Sequence, residues 1–101
     1  MNHDKLRLAV VRLLPKQIEI KISLEPKGYT LTWIEYKSPV RPTDMLEVCH
    51  RIEKTLDTTQ REQYIAELIN ISHYPYTEIF ADWVDKAKAL CKVAGIAYEV
   101  D

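Results

Sequence analysis

The chain has 101 residues, of which 47% are hydrophobic and 29% are charged, and its formal net charge is −1. This composition is too apolar for a disordered tail and too interrupted by charge for a membrane-spanning segment. The two glycines, Gly28 and Gly95, lie far apart, whereas phosphate-binding loops of the Walker and dinucleotide types need two or three glycines close together. Those classes of nucleotide-binding enzyme are therefore excluded, and we expect a single domain over residues 1–101.

Charge is divided unevenly along the chain. Residues 1–42 hold eight basic and four acidic side chains, a balance of +4, whereas residues 43–101 hold six and eleven, a balance of −5. A chain that is nearly neutral as a whole does not favour a protein that neutralises many phosphates. The basic N-terminal part nevertheless keeps a nucleic-acid accessory protein as an alternative hypothesis.

Cysteine usage indicates a reducing compartment. Cys49 and Cys91 lie among apolar residues at helical spacing, which is typical of free thiols that pack as small hydrophobic groups. The apolar stretch 6–14 is interrupted by Arg7 and Arg12, and no small-residue cleavage site follows it. We therefore expect a cytoplasmic protein with no attachment to a membrane.

The first predicted elements are a helix and a β-hairpin. The helix is capped by Asn2 and ends near Leu14, because Pro15 cannot continue it. Apolar and polar residues then alternate, and a turn that closes at Gly28 separates two such runs. This pattern predicts an antiparallel hairpin over residues 17–36.

The register of this hairpin decides which of its faces is buried. We prefer the register that pairs Ile20 with Trp33 and Ile22 with Leu31 on the core face, because it buries the larger side chains. A bulged three-residue loop at Gly28 would favour a register shifted by one residue, in which Trp33 points outward.

Three further helices are predicted after residue 42. Thr43 or Asp44 caps the first of them, and Thr59 with Glu62 forms a capping-box pattern for the second. Thr77 is the predicted cap of the third.

A short strand over residues 96–100 is predicted after the last helix, which ends at Gly95. The expected fold is α+β, in the order α-β-β-α-α-α-β. It has a small, mainly antiparallel sheet of three strands, formed by the hairpin and the C-terminal strand, with four helices packed on one face.

One helix face carries side chains that could bind a ligand. Glu47, His50 and Glu53 lie along the predicted second helix, but a carboxylate-bridged metal centre would need another helix with the same spacing. We interpret this face as solvated and assign no catalytic residue, metal site or cofactor. The alternative hypothesis is a small enzyme or a metal- or ligand-binding protein, and it predicts that Glu47, His50 and Glu53 converge with another helix in a concave pocket.

The surface of the hairpin supports the leading hypothesis, which is a non-enzymatic interaction or regulatory module. β-Branched and aromatic side chains on an open sheet face are suited to packing against a protein partner or a second copy of the chain. Alternatively, the first helix covers this face within the monomer. Tyrosines on either side of Pro75 form a second candidate surface. The interface candidates are Thr30, Thr32, Ile34, Tyr36, Tyr74 and Tyr76.

Overall fold

The computed structural model describes residues 3–15, 20–25, 28–34, 37–72 and 81–98. Within them the chain forms four helices and a three-stranded antiparallel sheet of order β1-β2-β3, which confirms the predicted α+β class. A short 3-10 turn precedes the second helix. The elements are α1 (Asp4–Val11), β1 (Ile20–Glu25), β2 (Gly28–Trp33), β3 (Ser38–Pro39), α2 (Met45–Glu53), α3 (Thr58–Ser72) and α4 (Trp83–Val93).

The hairpin has the preferred register. Ile20 pairs with Trp33 and Ile22 pairs with Leu31. Leu31 and Trp33 are buried, so the larger side chains of β2 do face the core. Ile22 differs from the prediction because 39% of its surface is exposed. The helices reach the sheet mainly where α1 contacts β2, which leaves β1 at the margin of the core.

The third strand is β3 and comes directly after the hairpin. Ser38 pairs with Trp33, and Pro39 pairs with Thr32. A proline lacks the N–H that a strand interior needs, and it is tolerated here because β3 is an edge strand. A turn that includes Lys37 at φ 49° connects β2 to β3.

The predicted C-terminal strand is absent from residues 96–98, and residues 99–100 lie outside the described residues. Gly95 takes a φ of 71° after α4, and the N–H of Ile96 donates to the carbonyl of Cys91 at 2.9 Å. This is the bonding of a Schellman motif, which turns the chain back onto its own helix. The chain therefore does not enter the sheet at this point.

Besides the start of α1, where His3 instead of Asn2 precedes the helix and forms no side-chain cap, helix ends differ from the predictions in three places. First, α1 ends at Val11, and the N–H groups of the next turn bond to carbonyls three residues back. The second difference is the cap of α3, where the side chain of Asp57 accepts from the N–H of Gln60 at 2.7 Å and the side chain of Gln60 accepts from the N–H of Asp57 at 3.1 Å. This reciprocal pair is a capping box two residues before the predicted one at Thr59 and Glu62.

The third difference is the start of α4. Ala81 and Asp82 precede the helix, and the side chain of Asp82 accepts from the N–H of Asp85 at 2.9 Å. An aspartate at this position satisfies one of the helix's unpaired donors, so it is a suitable cap. Thr77, the predicted cap, lies outside the described residues.

The core is organised around α4, which contacts α1, α2 and α3. Its buried face includes Ala87 and Ala89, whose small side chains allow neighbouring helices to approach closely. A polar link joins α1 to the segment after β3, because the guanidinium of Arg7 donates to the carbonyl of Val40 and also pairs with Asp4 at 3.5 Å. Arg7 is buried, so this basic side chain of the N-terminal part is not available at the surface.

Candidate functional site: a basic pocket beside a buried carboxylate

A buried carboxylate connects three helices. Glu53, in the last turn of α2, is only 8% exposed. Its Oε2 accepts a hydrogen bond from the Tyr64 hydroxyl of α3 at 3.1 Å, and its Oε1 accepts from Lys86 Nζ of α4 at 3.4 Å. A buried charge is tolerated when it is paired and hydrogen-bonded, and both oxygens of Glu53 meet that condition.

A pocket of about 250 Å³ opens beside this carboxylate. Its lining consists entirely of ionisable side chains, three of them cationic and one anionic, so the formal charge of the lining is +2 with the histidine neutral. The lining residues are His50, Glu53, Lys54, Arg61 and Lys86.

Local structure explains how these residues meet. His50, Glu53 and Lys54 are separated by three and four positions, a spacing that places them on one side of α2 and its C-terminal end. The capping box at the start of α3 sets the path of the chain between α2 and α3, and Arg61 lies in the first turns of α3. The start of α4 sets the position of Lys86, which is the fourth residue of that helix.

Two of the three residues predicted on the α2 face take part in this pocket. His50 and Glu53 converge with α3 and α4, whereas the ligand-binding alternative requires Glu47 to converge with them as well. Glu47 does not join them, because its Oε1 accepts from the Arg51 guanidinium at 2.8 Å. Glu47 instead lines a different cavity, of about 390 Å³, together with Trp33. Within the described ranges, no group of three or more His, Cys, Asp or Glu side chains could hold a metal ion.

Sequence reasoning missed the cationic members of the pocket. The spacing of Asp82 and Lys86 predicts an ion pair between them. In the structure, Asp82 caps α4, and the Lys86 ammonium forms its ion pair with Glu53. Lys54 could have been noticed, since it lies one helical turn after His50. Nothing local in the sequence indicates that Arg61 and Lys86 reach the same place, because that depends on how three helices pack.

Both cysteines are buried and have raised pKa values. Burial raises the pKa of Cys49 to about 12, the charge of Glu53 adds to this rise, and the charge of Lys86 partly offsets it. Burial also raises the pKa of Cys91 to about 11. A thiol with so high a pKa carries almost no thiolate near neutral pH, so neither residue has the character of a nucleophile.

The predicted interface residues are only partly described. Thr30 is exposed, 48% of the Ile34 surface is exposed, and Thr32 is half-buried. The outer face of the described part of β2 is therefore open rather than covered by α1. Tyr36, Tyr74 and Tyr76 lie outside the described residues and stay predictions.

Comparisons of the chain with protein-family models, with curated proteins and with solved structures find no match. Among the described helices, none combines the length and the apolar composition needed to cross a bilayer. The function of the chain has therefore to be inferred from its own residues.

Proposed function

We propose that this protein is a non-enzymatic interaction or regulatory module that associates through its hairpin, with a second copy of the chain as the partner. The observation that carries the proposal is the outer edge of β1. The two free, buried thiols, Cys49 and Cys91, support a reducing compartment such as the cytoplasm as its setting.

Hydrogen bonding on the far side of β2 indicates which backbone groups of β1 point outward. The carbonyl of Leu31 accepts from the N–H of Val40 at 2.7 Å, so the backbone of Leu31 faces β3. In antiparallel pairs, residues that bond across the ladder alternate with residues that do not. Ile22, the partner of Leu31, therefore turns its N–H and C=O away from β2, and so does Ile20 two residues before it.

These outward groups form an edge that another strand can extend. No strand in the described part of the chain pairs with this side of β1. An unpaired edge is a template for strand addition, and the exposed side chain of Ile22 adds apolar surface beside it.

A second copy is a suitable occupant for this edge. The sequence of the strand, IKISLE, has a lysine near its start and a glutamate at its end, so antiparallel pairing of two copies brings unlike charges together. Such pairing would join two three-stranded sheets into one, with the same patch used by both copies, as a two-fold dimer requires.

Light scattering coupled to size-exclusion chromatography tests the proposal over a range of concentrations. We expect a dimer that Ile22→Lys weakens by about tenfold or more, because a lysine on the edge opposes strand addition and two copies bring like charges together. Ile69→Lys is the matched control, since Ile69 is similarly exposed, at 42%, but lies on α3. Circular dichroism confirms that both variants are folded.

A strict monomer at concentrations up to about 1 mM would overturn the proposal. So would a dimer that Ile69→Lys weakens as much as Ile22→Lys does. Ile34→Asp extends the test to the exposed residue that follows β2. If the dimer uses the β1 edge alone, residue 34 stays exposed and this substitution should leave the dimer unchanged.

A further inference from the structure

We propose that the basic pocket between α2, α3 and α4 binds a small phosphate-bearing anion, of the class of inorganic phosphate and small phosphomonoesters. This site is separate from the hairpin edge, and its occupancy does not depend on whether the chain forms a dimer.

The pocket is positively charged, although the part of the chain that forms it has a negative net charge. Residues 43–101 have a balance of −5 and only six basic side chains, yet three of those six line this one pocket. Elsewhere in the same part, Arg51 pairs with Glu47 at 2.8 Å and Lys92 pairs with Glu67 at 3.2 Å. Basic side chains are therefore concentrated at this site and not spread evenly over an acidic surface.

The one acidic residue of the lining does not neutralise its three basic residues. Glu53 already accepts a hydrogen bond on each oxygen, from Tyr64 and from Lys86. Lys54 is exposed and forms no ion pair with any residue in the described part of the chain. The formal charge of the lining is therefore +2, and the ammonium of Lys54 is available to a ligand.

The chemistry of the lining fits phosphate better than a single carboxylate. A phosphate monoester carries a charge of about −1.5 to −2 at neutral pH, which matches the formal +2 of the lining. The planar guanidinium of Arg61 suits two phosphate oxygens at once, and the ammonium of Lys54 supplies a point charge on a flexible stem. His50 adds a ring N–H donor.

The size of the pocket limits what it holds. Its volume, about 250 Å³, lies below the range of about 300–1,000 Å³ that is typical of sites for drug-sized ligands. It accommodates a phosphate group with a small substituent. Acidic residues elsewhere on the chain oppose binding only weakly at ordinary ionic strength, because charges more than about 10 Å apart are screened at 0.1 M salt.

A ¹H–¹⁵N NMR titration of the full chain at constant ionic strength tests the inference. One arm uses inorganic phosphate and a second uses glycerol phosphate, so that a free anion and an ester are told apart. We expect saturating shifts at the amides of His50, Lys54 and Arg61, with a Kd of about 1 mM or below. Tighter binding of glycerol phosphate supports a phosphomonoester site, and equal or weaker binding supports a site for the phosphate group alone.

Substitutions at exposed lining residues separate specific binding from general attraction. Lys54→Gln and Arg61→Gln should each weaken binding by about tenfold, because each removes a charge-assisted hydrogen bond. Lys92→Gln is the control, since it removes one positive charge from an exposed position of α4 outside the pocket. It should change the Kd by less than about twofold.

Two results would overturn the inference. One is the absence of saturating shifts in the pocket up to about 50 mM phosphate, far above the expected Kd. The other is a Kd that Lys92→Gln raises as much as Lys54→Gln and Arg61→Gln do, because binding would then follow net charge rather than this site. Spectra of the unliganded variants show directly whether each variant keeps the fold.

Discussion

The helical part buries a charged side chain, whereas the hairpin exposes large apolar side chains. Among the helices, Glu53 is almost fully buried, and each of its oxygens has a hydrogen-bond donor from a different helix. On the hairpin, Ile22 and Ile34 are 39% and 48% exposed, and the outward backbone groups of β1 lie at an edge with which no strand of the described part of the chain pairs. The helical part thus uses its buried polar groups to hold three helices together, while the hairpin leaves apolar side chains exposed.

Trp33 is where the two parts meet, and its loss should have the largest effect. It is 5% exposed on the core face of β2, and the Arg51 guanidinium of α2 lies 5.5 Å from its ring centroid. Trp33→Ala should lower the free energy of unfolding by about 4 kcal/mol, measured by urea denaturation, because it leaves a large cavity. Ile34→Ala, one residue further along the chain, should cost less than about 0.5 kcal/mol. Similar losses for the two variants would contradict the observed register.

Substitution of Glu53 tests whether its hydrogen bonds with Tyr64 and Lys86 stabilise the helical part. Glu53→Gln should lower the free energy of unfolding by about 3 kcal/mol, because the ammonium of Lys86, whose side chain is 12% exposed, loses its charged partner. Glu53→Met combined with Lys86→Met should recover most of this loss, since an apolar pair leaves no unpaired charge.

Glu47→Gln is the matched control on the same helix. It breaks an exposed ion pair with Arg51, and such pairs contribute less than about 1 kcal/mol. A cost for Glu47→Gln equal to that of Glu53→Gln would show that burial does not distinguish the two carboxylates.

Alkaline pH should destabilise the helical part through its thiols. The folded-state pKa values of Cys49 and Cys91, about 12 and about 11, lie above the ordinary cysteine value of about 8.5. Below that ordinary value both the folded and the unfolded chain keep the thiol protons, so these groups make no difference to stability. As pH rises further only the unfolded chain releases them, and stability falls by about 1.4 kcal/mol per thiol for each pH unit.

Denaturation at pH 8 and at pH 10 measures this loss. Cys49→Ala should make the difference between the two pH values smaller by about 1 kcal/mol or more. An unchanged difference in that variant would contradict the raised pKa of Cys49. In the native protein at pH 8, both cysteines should also react with a thiol reagent far more slowly than in the urea-unfolded chain.

The smallest expected effect concerns the cap of α4. Asp82→Ala should lower the free energy of unfolding by about 1 kcal/mol, because the N–H of Asp85 loses its acceptor. Burial and the charge of Asp82 both raise the pKa of Asp85, so the substitution should also bring that pKa down, which NMR titration measures. Asp82→Asn is the control, since asparagine still caps the helix.

Local patterns predicted much of this fold. The alternation of apolar and polar residues with Trp33 on the buried side was enough to choose the register, because a shift by one residue exchanges the two faces of a strand. Helix ends were harder, because the sequence around Asp57 and Thr59 contains two overlapping capping-box patterns, and the structure forms the earlier one. The third strand was assigned to the C-terminus, since the two residues of β3 are too few to leave a periodic signal.

By itself, the sequence determined the α+β class, the hairpin with its register and the apolar setting of both cysteines, because each depends on residues close together in the chain. The tertiary structure alone decided the candidate site. Glu53 and Lys86 are 33 positions apart, and they meet only because α2, α3 and α4 pack with one carboxylate between them. Helix packing also placed Lys54 and Arg61 at the same pocket, although each is an ordinary exposed residue of its own segment. Long-range packing brings charges together without leaving a spacing in the sequence, and for that reason the pocket could not be predicted.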